Sequence, residues 1–293
     1  MNSALPLLLR VQESPSSSFH IRREQVPYFD NPWHYHPELE LTLITESTGI
    51  RFVGDSIEPF GPGDLVLLGP NLPHFWRNDD AYYHPESERR AEALILRFRM
   101  TVWGSGFLDN PEMQPLRQLF QAADHGLHFP KEVADRIRPR MEDLPAESGI
   151  GRAVAWLRLF QALIETGSYR TLSRRTFFGQ QPARDSDRMN RILAYIHKHL
   201  TDPISLDAVA AEASMNPAAF CRYFRRQTNK TFVDVLSELR INFACRLLTD
   251  TQKDVGQVCF ESGFRNISHF NQVFRTCMGL TPTEFRRRRT ASD

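Results

Sequence analysis

Residues 255–289 read VGQVCFESGFRNISHFNQVFRTCMGLTPTEFRRRR, and the reading of the whole chain works outward from them. At helical period Val255, Val258 and Cys259 form the apolar face of one short helix, and Phe270, Val273 and Phe274 that of a second. Gly263 falls where the first helix must stop, because glycine takes the positive φ of a helix C-terminus without a Cβ clash. Asn266 or Ser268 then caps the next helix. Thr281-Pro282 ends the unit, and a short helix closing on Arg286 to Arg289 follows. A short helix, a glycine-bearing turn and a second amphipathic helix make the helix-turn-helix pattern of major-groove readers.

The pattern occurs twice. Val209 and Glu212 recur as Val258 and Glu261 at an offset of 49. After a one-residue slip, Phe220, Phe224, Arg225 and Thr231 recur as Phe270, Phe274, Arg275 and Thr281 at an offset of 50. A register held across two helices and a turn indicates an internal duplication. Phe232 to Leu248 reads as a longer helix between the two copies, with Phe232, Val235, Leu236, Leu239, Phe243 and Leu247 inward.

Charge divides along the same line. From Asp187 onward there are 16 Lys+Arg against 11 Asp+Glu, whereas the preceding residues carry 20 against 24. A basic half bearing the duplicated helices suits a polyanion partner. All four cysteines (Cys221, Cys245, Cys259 and Cys277) lie in that half, without CxxC or zinc spacing. Cys245 and Cys259 fall on apolar faces as small hydrophobes, which fits a reducing compartment. Leu5 to Leu9 is too short for a signal-peptide core or a membrane span, so a cytoplasmic protein with no membrane partner is expected.

Residues 19 to about 100 read as short strands (FHIRREQ, LELTLITES, IRFVGD, LVLLGP and the run Ala93 to Phe98) with Gly, Pro, Asn or Asp in the breaks. Such a series predicts a sandwich or small barrel. His34, His36, Glu38 and Glu40 share one parity; Trp33, Tyr35, Leu39, Leu41 and Leu43 share the other. On a strand the two sets point to opposite faces. The polar set is then either a solvated outer face or the lining of a barrel mouth.

Residues 111 to about 169 switch to helical period, with Val133, Ile137 and Met141 four apart. Val154, Leu157, Phe160, Gln161 and Ile164 trace a second stripe. It is either a helix packed on its own barrel or a homodimer seam.

His34-Tyr35-His36, Glu40 and the later Gly-Pro-Gly-Asp…Pro73-His74 resemble the two motifs of the cupin barrel. That resemblance implies that His34, His36, Glu40 and His74 converge, as four metal ligands in metal-binding cupins or as an effector site here. The effector reading is preferred, with a polar or sugar-like small molecule as ligand and no cofactor. Residues 187 to 289 resemble the DNA-binding domain of AraC/XylS-family transcription regulators. The resemblance is carried by Arg246-Leu247-Leu248, Val255, Val258, Gly263-Phe264, Ser268, Phe270, Phe274-Arg275, Gly279, Thr281-Pro282 and Phe285-Arg286.

The expected architecture is an α+β chain of two domains. Residues 1–170 form a cupin-like β-barrel with following helices that binds an effector and dimerises. Residues 171–186 form a linker. Residues 187–293 form an all-α domain with two helix-turn-helix motifs. With Phe220, Phe224, Phe270 and Phe274 inward, the outer face carries Pro217, Ala218, Cys221 and Arg222 in the first copy. In the second it carries Ile267, Ser268, Asn271 and Gln272. Arginine suits guanine edges, Asn and Gln suit adenine, and Ala218 and Ile267 suit a thymine methyl. Arg225, Arg226, Lys230, Arg275 and Arg286 are expected on phosphates, which position without reading sequence. The expected protein is an effector-responsive transcription activator, a homodimer on a double-stranded DNA operator, with RNA polymerase as a further partner. It is not an enzyme. The competing readings are a cupin-type metalloenzyme fused to a DNA-binding domain and an architectural protein without an effector.

Overall fold

The structure, a computed structural model, describes residues 18–84, 86–174 and 183–290. The chain divides into two compact units, Met1–Ala183 and Arg184–Asp293. The first holds the strands β1 (Phe19–Val26), β2 (Leu39–Glu46), β3 (Gly49–Val53), β4 (Ser56–Phe60), β5 (Leu65–Leu68), β6 (His74–Asn78), β7 (Ala91–Phe98), β8 (Leu127–Phe129) and β9 (Arg170–Thr171). Helices α1 (Gln114–Ala122), α2 (Lys131–Asp143) and α3 (Gly149–Thr166) complete it.

The strands make two antiparallel sheets, a six-stranded one in the order β1-β7-β2-β5-β8-β9 and a three-stranded one in the order β4-β3-β6. The large sheet is covered on both faces, which is why β2, β5 and β7 are buried almost throughout. Leu39, Leu41, Leu43, Leu65, Leu67, Leu94 and Leu96 join a core with the three helices. The alternate residues Ile44, Val66, Leu68, Ala93 and Ile95 join Val53, Phe60 and Trp76 of the small sheet. Among the described residues no continuous ladder closes the two sheets into one barrel; an isolated bridge joins His34, in the segment before β2, to His74 on β6. Of the sandwich or small barrel expected, the described strands form two packed sheets, and the cupin-like barrel is not closed.

The parity expectation is corrected as well. His34 and His36 are not on one strand with Glu40: β2 begins at Leu39, and both histidines sit in the preceding loop. Pro37 between them and the strand removes a ladder donor, which breaks the pleat there. Trp33, assigned to the opposite face, is itself buried.

On α3 the buried face is Trp156, Leu159, Phe160, Ala162 and Leu163. Phe160 thus belongs to the unit's own core, stacked near Trp156, Phe98 and Phe120. Val154 and Gln161 are exposed, and Leu157 lies between. Residues 171–174, at the start of the expected linker, are bonded into the first unit, and 175–182 lie outside the described residues.

The second unit contains α4 (Ala183–Lys198), α5 (Leu206–Glu212), α6 (Pro217–Thr228), α7 (Phe232–Asp250), α8 (Val255–Glu261), α9 (Ile267–Met278) and α10 (Pro282–Thr290). The turn chemistry repeats in register. Asn216 and Asn266 cap α6 and α9 through side-chain oxygens that accept from Ala219 N at 2.8 Å and His269 N at 3.0 Å. Of the two capping candidates for α9, Asn266 is the one used. Ser214 (φ 55°) and Gly263 (φ 87°) hold equivalent left-handed turn positions. A Cβ at Gly263 would meet Arg240 Nε at 2.8 Å and Leu200 O at 2.9 Å, so no larger residue fits this turn.

On α7 the buried side changes along the helix. Phe232, Val235, Leu236 and Leu239 face inward as expected, but farther along it is Ile241, Ala244 and Leu248 that are buried. Phe243 and Leu247 are half-buried, because the later turns pack on the second copy rather than the first.

Candidate nucleic-acid interface and histidine site

On α6, Phe220, Tyr223 and Phe224 are buried while Ala218, Cys221, Arg222 and Arg225 are exposed on one face. On α9, Phe270 and Phe274 are buried and Ile267, Ser268, Asn271, Gln272 and Arg275 are exposed. A polar groove beside α9 is lined by Asn271, Gln272, Arg275 and Thr276, together with Thr281, Pro282 and Thr283 at the start of α10. Each recognition-type helix therefore offers one continuous outer strip, anchored from behind by two aromatic rings.

The cations assigned to phosphates fall into two groups. Arg225, Arg226 and Arg275 are exposed, with the Arg226 guanidinium 5.7 Å from the centre of the Tyr223 ring. Lys230 Nζ instead donates to both carboxylate oxygens of Glu238, at 2.9 and 2.7 Å. Arg286 donates to Leu248 O at 3.0 Å and Lys253 O at 2.5 Å, fastening the C-terminal end of α7. Arg240, which sequence reasoning passed over, does the same for the end of α4: it donates to Leu200 O at 2.8 Å and Asp202 O at 2.7 Å. Each copy thus has an arginine satisfying carbonyls left open where its leading helix ends. Because Arg240 also abuts Gly263, it ties the first copy to the turn of the second.

In the first unit, His34, His36 and His74 meet between the sheets. All three are buried, and one nitrogen from each lies within 4.8 Å of the others. His34 N and O pair with His74 O and N at 3.1 and 2.9 Å, so the backbone bridge itself brings the rings together. His34 Nδ1 lies 2.7 Å from Pro32 O and His74 Nδ1 2.8 Å from Leu72 O. A carbonyl only accepts, so these Nδ1 atoms carry the proton and each Nε2 presents a lone pair. Both Nε2 atoms are buried without a partner. His36 has an acceptor at each nitrogen, Glu38 O at 3.1 Å and Glu40 Oε2 at 3.2 Å. A neutral imidazole can donate to only one of them.

Glu40 is held by Arg97 Nε at 2.5 Å and by the Thr42 hydroxyl at 2.7 Å. Burial opposes its ionisation, but the Arg97 charge and the His36 hydrogen bond outweigh it, and the carboxyl stays well below its usual range. Burial, reinforced by the neighbouring His36, pushes His34 down to about 4. Burial likewise lowers His74 well below the ordinary histidine value. Arg97 and Trp76, whose buried indole N–H has no acceptor, were missed from sequence. The signal for Arg97 was a lone charge in the apolar run ALILRF, facing Glu40 across β2 and β7.

The donor set fits a divalent transition metal through the three histidines, since imidazole nitrogens with Nδ1–H fixed on carbonyls are ordinary ligands. Glu40 fits less well as a fourth ligand, being already paired with Arg97. The space lined by His34, Glu40, Thr42, Trp76 and Arg97 is about 20 Å³, room for one water.

A family described as "Helix-turn-helix domain" matches residues 209–288. The chain is 30% identical over 268 residues to the uncharacterized HTH-type transcriptional regulator YdeC of Bacillus subtilis (strain 168), covering 87% of this chain and 86% of that protein. It is 22% identical over 288 residues to the HTH-type transcriptional activator RhaS of Escherichia coli O81 (strain ED1a), covering 97% and 98%. Among solved structures, the DNA-binding domain of AdpA, the global transcriptional factor, in complex with a target DNA, is 29% identical over 36% of this chain and 96% of that chain, with a TM-score of 0.35. A duplicated helix-turn-helix unit behind a sheet-rich N-terminal unit is the architecture of a DNA-binding transcription regulator. The chain belongs to the AraC family of such regulators. No helix among the described residues is long and apolar enough to cross a membrane.

Proposed function

We propose that this regulator is controlled by a ligand bound at the histidine site of its N-terminal unit. The observation that carries the reading is the pair of buried, partnerless Nε2 atoms of His34 and His74 beside the Glu40–Arg97 pair. Buried polar groups without partners are costly, and a ligand that supplies hydroxyl donors satisfies them. A sugar-sized effector needs several hundred Å³, so its entry requires the loop carrying His34 and His36 to move.

A second reading is favoured by the convergence of one ring nitrogen from each of the three histidines: a divalent metal held by His34, His36 and His74. Bound there, a metal would supply a Lewis-acid centre able to take an oxygen or nitrogen donor of a small molecule.

Sequencing the genomic fragments the protein binds identifies the operator, and products of the neighbouring genes supply candidate effectors. His36→Ala and His74→Ala are then expected to abolish or blunt the response while leaving effector-independent operator affinity within about tenfold, roughly 1.4 kcal/mol. Wild-type response in both variants would place the effector elsewhere. Stoichiometric metal in the purified protein, with operator binding lost on chelation, would select the second reading.

DNA reading is assigned to Ala218, Cys221 and Arg222 on α6 and to Ile267, Ser268, Asn271 and Gln272 on α9, with Arg225, Arg226 and Arg275 on phosphates. Lys230 and Arg286 support the fold around them. Arg222→Ala and Gln272→Ala should each cost roughly 1–3 kcal/mol at the operator and relax discrimination at one or two base pairs. Arg275→Ala should weaken binding to all sequences and lower the salt slope. Equal losses on operator and random DNA for Arg222 and Gln272 would remove them as readers.

The apolar ridge of exposed Ile150 and Val154 with half-buried Leu157 on α3 is assigned to a homodimer seam, which doubles the reading helices on one operator. Leu157→Glu should give a folded monomer by sedimentation; an unchanged dimer would move the seam elsewhere. RhaS is named an activator, and by likeness this chain is assigned to activation, with RNA polymerase as the partner recruited.

A further inference from the structure

We propose that Asp55 is a clasp through which the histidine site controls the segment leading to the DNA-binding unit; the proposal rests on the reading of that site as ligand-binding. Asp55 lies in the turn between β3 and β4 and is buried. Its Oδ1 accepts from the Ser173 hydroxyl at 2.8 Å and from the Arg174 backbone N–H at 3.0 Å. Beside it, Leu172 N donates to Gly126 O at 2.9 Å and Ser173 N to His125 O at 2.7 Å. Residues 172–174 are thus bonded into the first unit, and α4 begins at Ala183.

The other end of the clasp touches the histidines. Val53 is the cross-strand partner of His74, and Gly54 N donates to Pro73 O at 2.8 Å. His74 Nδ1 is in turn fixed on Leu72 O. Gly126 marks where the three segments meet. A Cβ there would lie 2.8 Å from Val53 Cγ1, 3.1 Å from Leu72 Cδ2 and 3.5 Å from Leu172 Cδ1. One side chain comes from β3, one from the turn before His74 and one from the exit segment.

A close-packed interior passes displacement on rather than absorbing it. When occupancy shifts His74 and β6, the turn at residues 53–55 moves with them, and the hold of Asp55 on Ser173 and Arg174 changes. The output is how firmly the exit segment is tied down, which sets the freedom of the DNA-binding unit.

Hydrogen exchange on the full chain tests this without any effector. Asp55→Ala should speed exchange of the Ser173 and Arg174 amides by about tenfold or more, the worth of a hydrogen bond to a charged group. His74→Ala, which touches none of these amides, should speed exchange at residues 172–174 as well. Thr48→Ala, which breaks a bond to Asp79 at the far end of the small sheet, should leave them unchanged. Wild-type exchange at 172–174 in a folded His74→Ala protein overturns the proposal. If that variant does not fold, the reciprocal measurement decides. Asp55→Ala should shift the ring-proton resonances of His74, and unmoved resonances overturn the clasp. Because no effector enters either measurement, a clasp that holds beside an effector screen that fails would count against the ligand reading alone.

Discussion

In the presence of a chelator, acidification from pH 6.5 to 4 should cost the N-terminal unit about 3 kcal/mol of stability through His34 alone. The sign follows from where the proton goes. In the folded chain burial first, and His36 second, lower the His34 pKa from 6.5 to about 4. The unfolded imidazole takes up a proton near pH 6.5, while the folded one stays neutral to about pH 4, so every step down between them favours unfolding. His74 is lowered by the same cause and adds in the same direction. Glu40, held below its usual value of 4.5, extends the loss to lower pH, because its carboxylate protonates first in the unfolded chain. Denaturant unfolding across this range measures the effect. All four tryptophans (Trp33, Trp76, Trp103 and Trp156) lie in the N-terminal unit, so intrinsic fluorescence reports on that unit. His34→Gln should flatten the profile. A wild-type profile already flat between pH 6.5 and 4 would mean that the rings are solvated or charged in the folded protein.

The C-terminal unit was far more legible from sequence than the N-terminal site. Its helices are short, each carries its own cap, and its aromatic pairs recur at a fixed offset, so local chemistry alone places Phe220, Phe224, Phe270 and Phe274 inward. Asn216 and Asn266 act within three residues of themselves, and such contacts can be read directly. The inner face of α7 was misread where helical periodicity assumes one partner and the helix has two.

In the first unit the contacts are long-range. That His34, His36 and His74 converge was foreseen through the cupin resemblance, but not that a proline-broken loop carries the first two. Arg97 reaches Glu40 from 57 residues away, and periodicity cannot supply the register of that pairing. The strands β8 and β9 have three and two residues, too few for any alternation to show. Sandwich and small barrel could not be told apart for a related reason: closure depends on edge pairing, which no single strand encodes.

The second large effect is expected at Arg97. Arg97 is 6% exposed and its partner Glu40 2% exposed, so neither charge has water to fall back on. Arg97→Met should destabilise the N-terminal unit by about 3–5 kcal/mol, because it leaves a buried carboxylate without its cation. Much of that loss is the penalty of the stranded charge rather than the worth of the pair. Adding Glu40→Gln to Arg97→Met should therefore restore most of the stability, whereas independent contributions would make the double variant worse. The same variant separates the two readings of the histidine site. With Arg97 gone, the Glu40 carboxylate at 3.2 Å from His36 Nε2 is released to join the three imidazoles, and Zn²⁺ should stabilise Arg97→Met more than it stabilises the wild type. Equal stabilisation of the two proteins by Zn²⁺ would show that Glu40 stays outside the ligand set, and no stabilisation of either would show that the histidines do not gather a metal. A cost below about 1 kcal/mol for Arg97→Met would show that the Glu40–Arg97 pair is open to water, as ordinary surface pairs are.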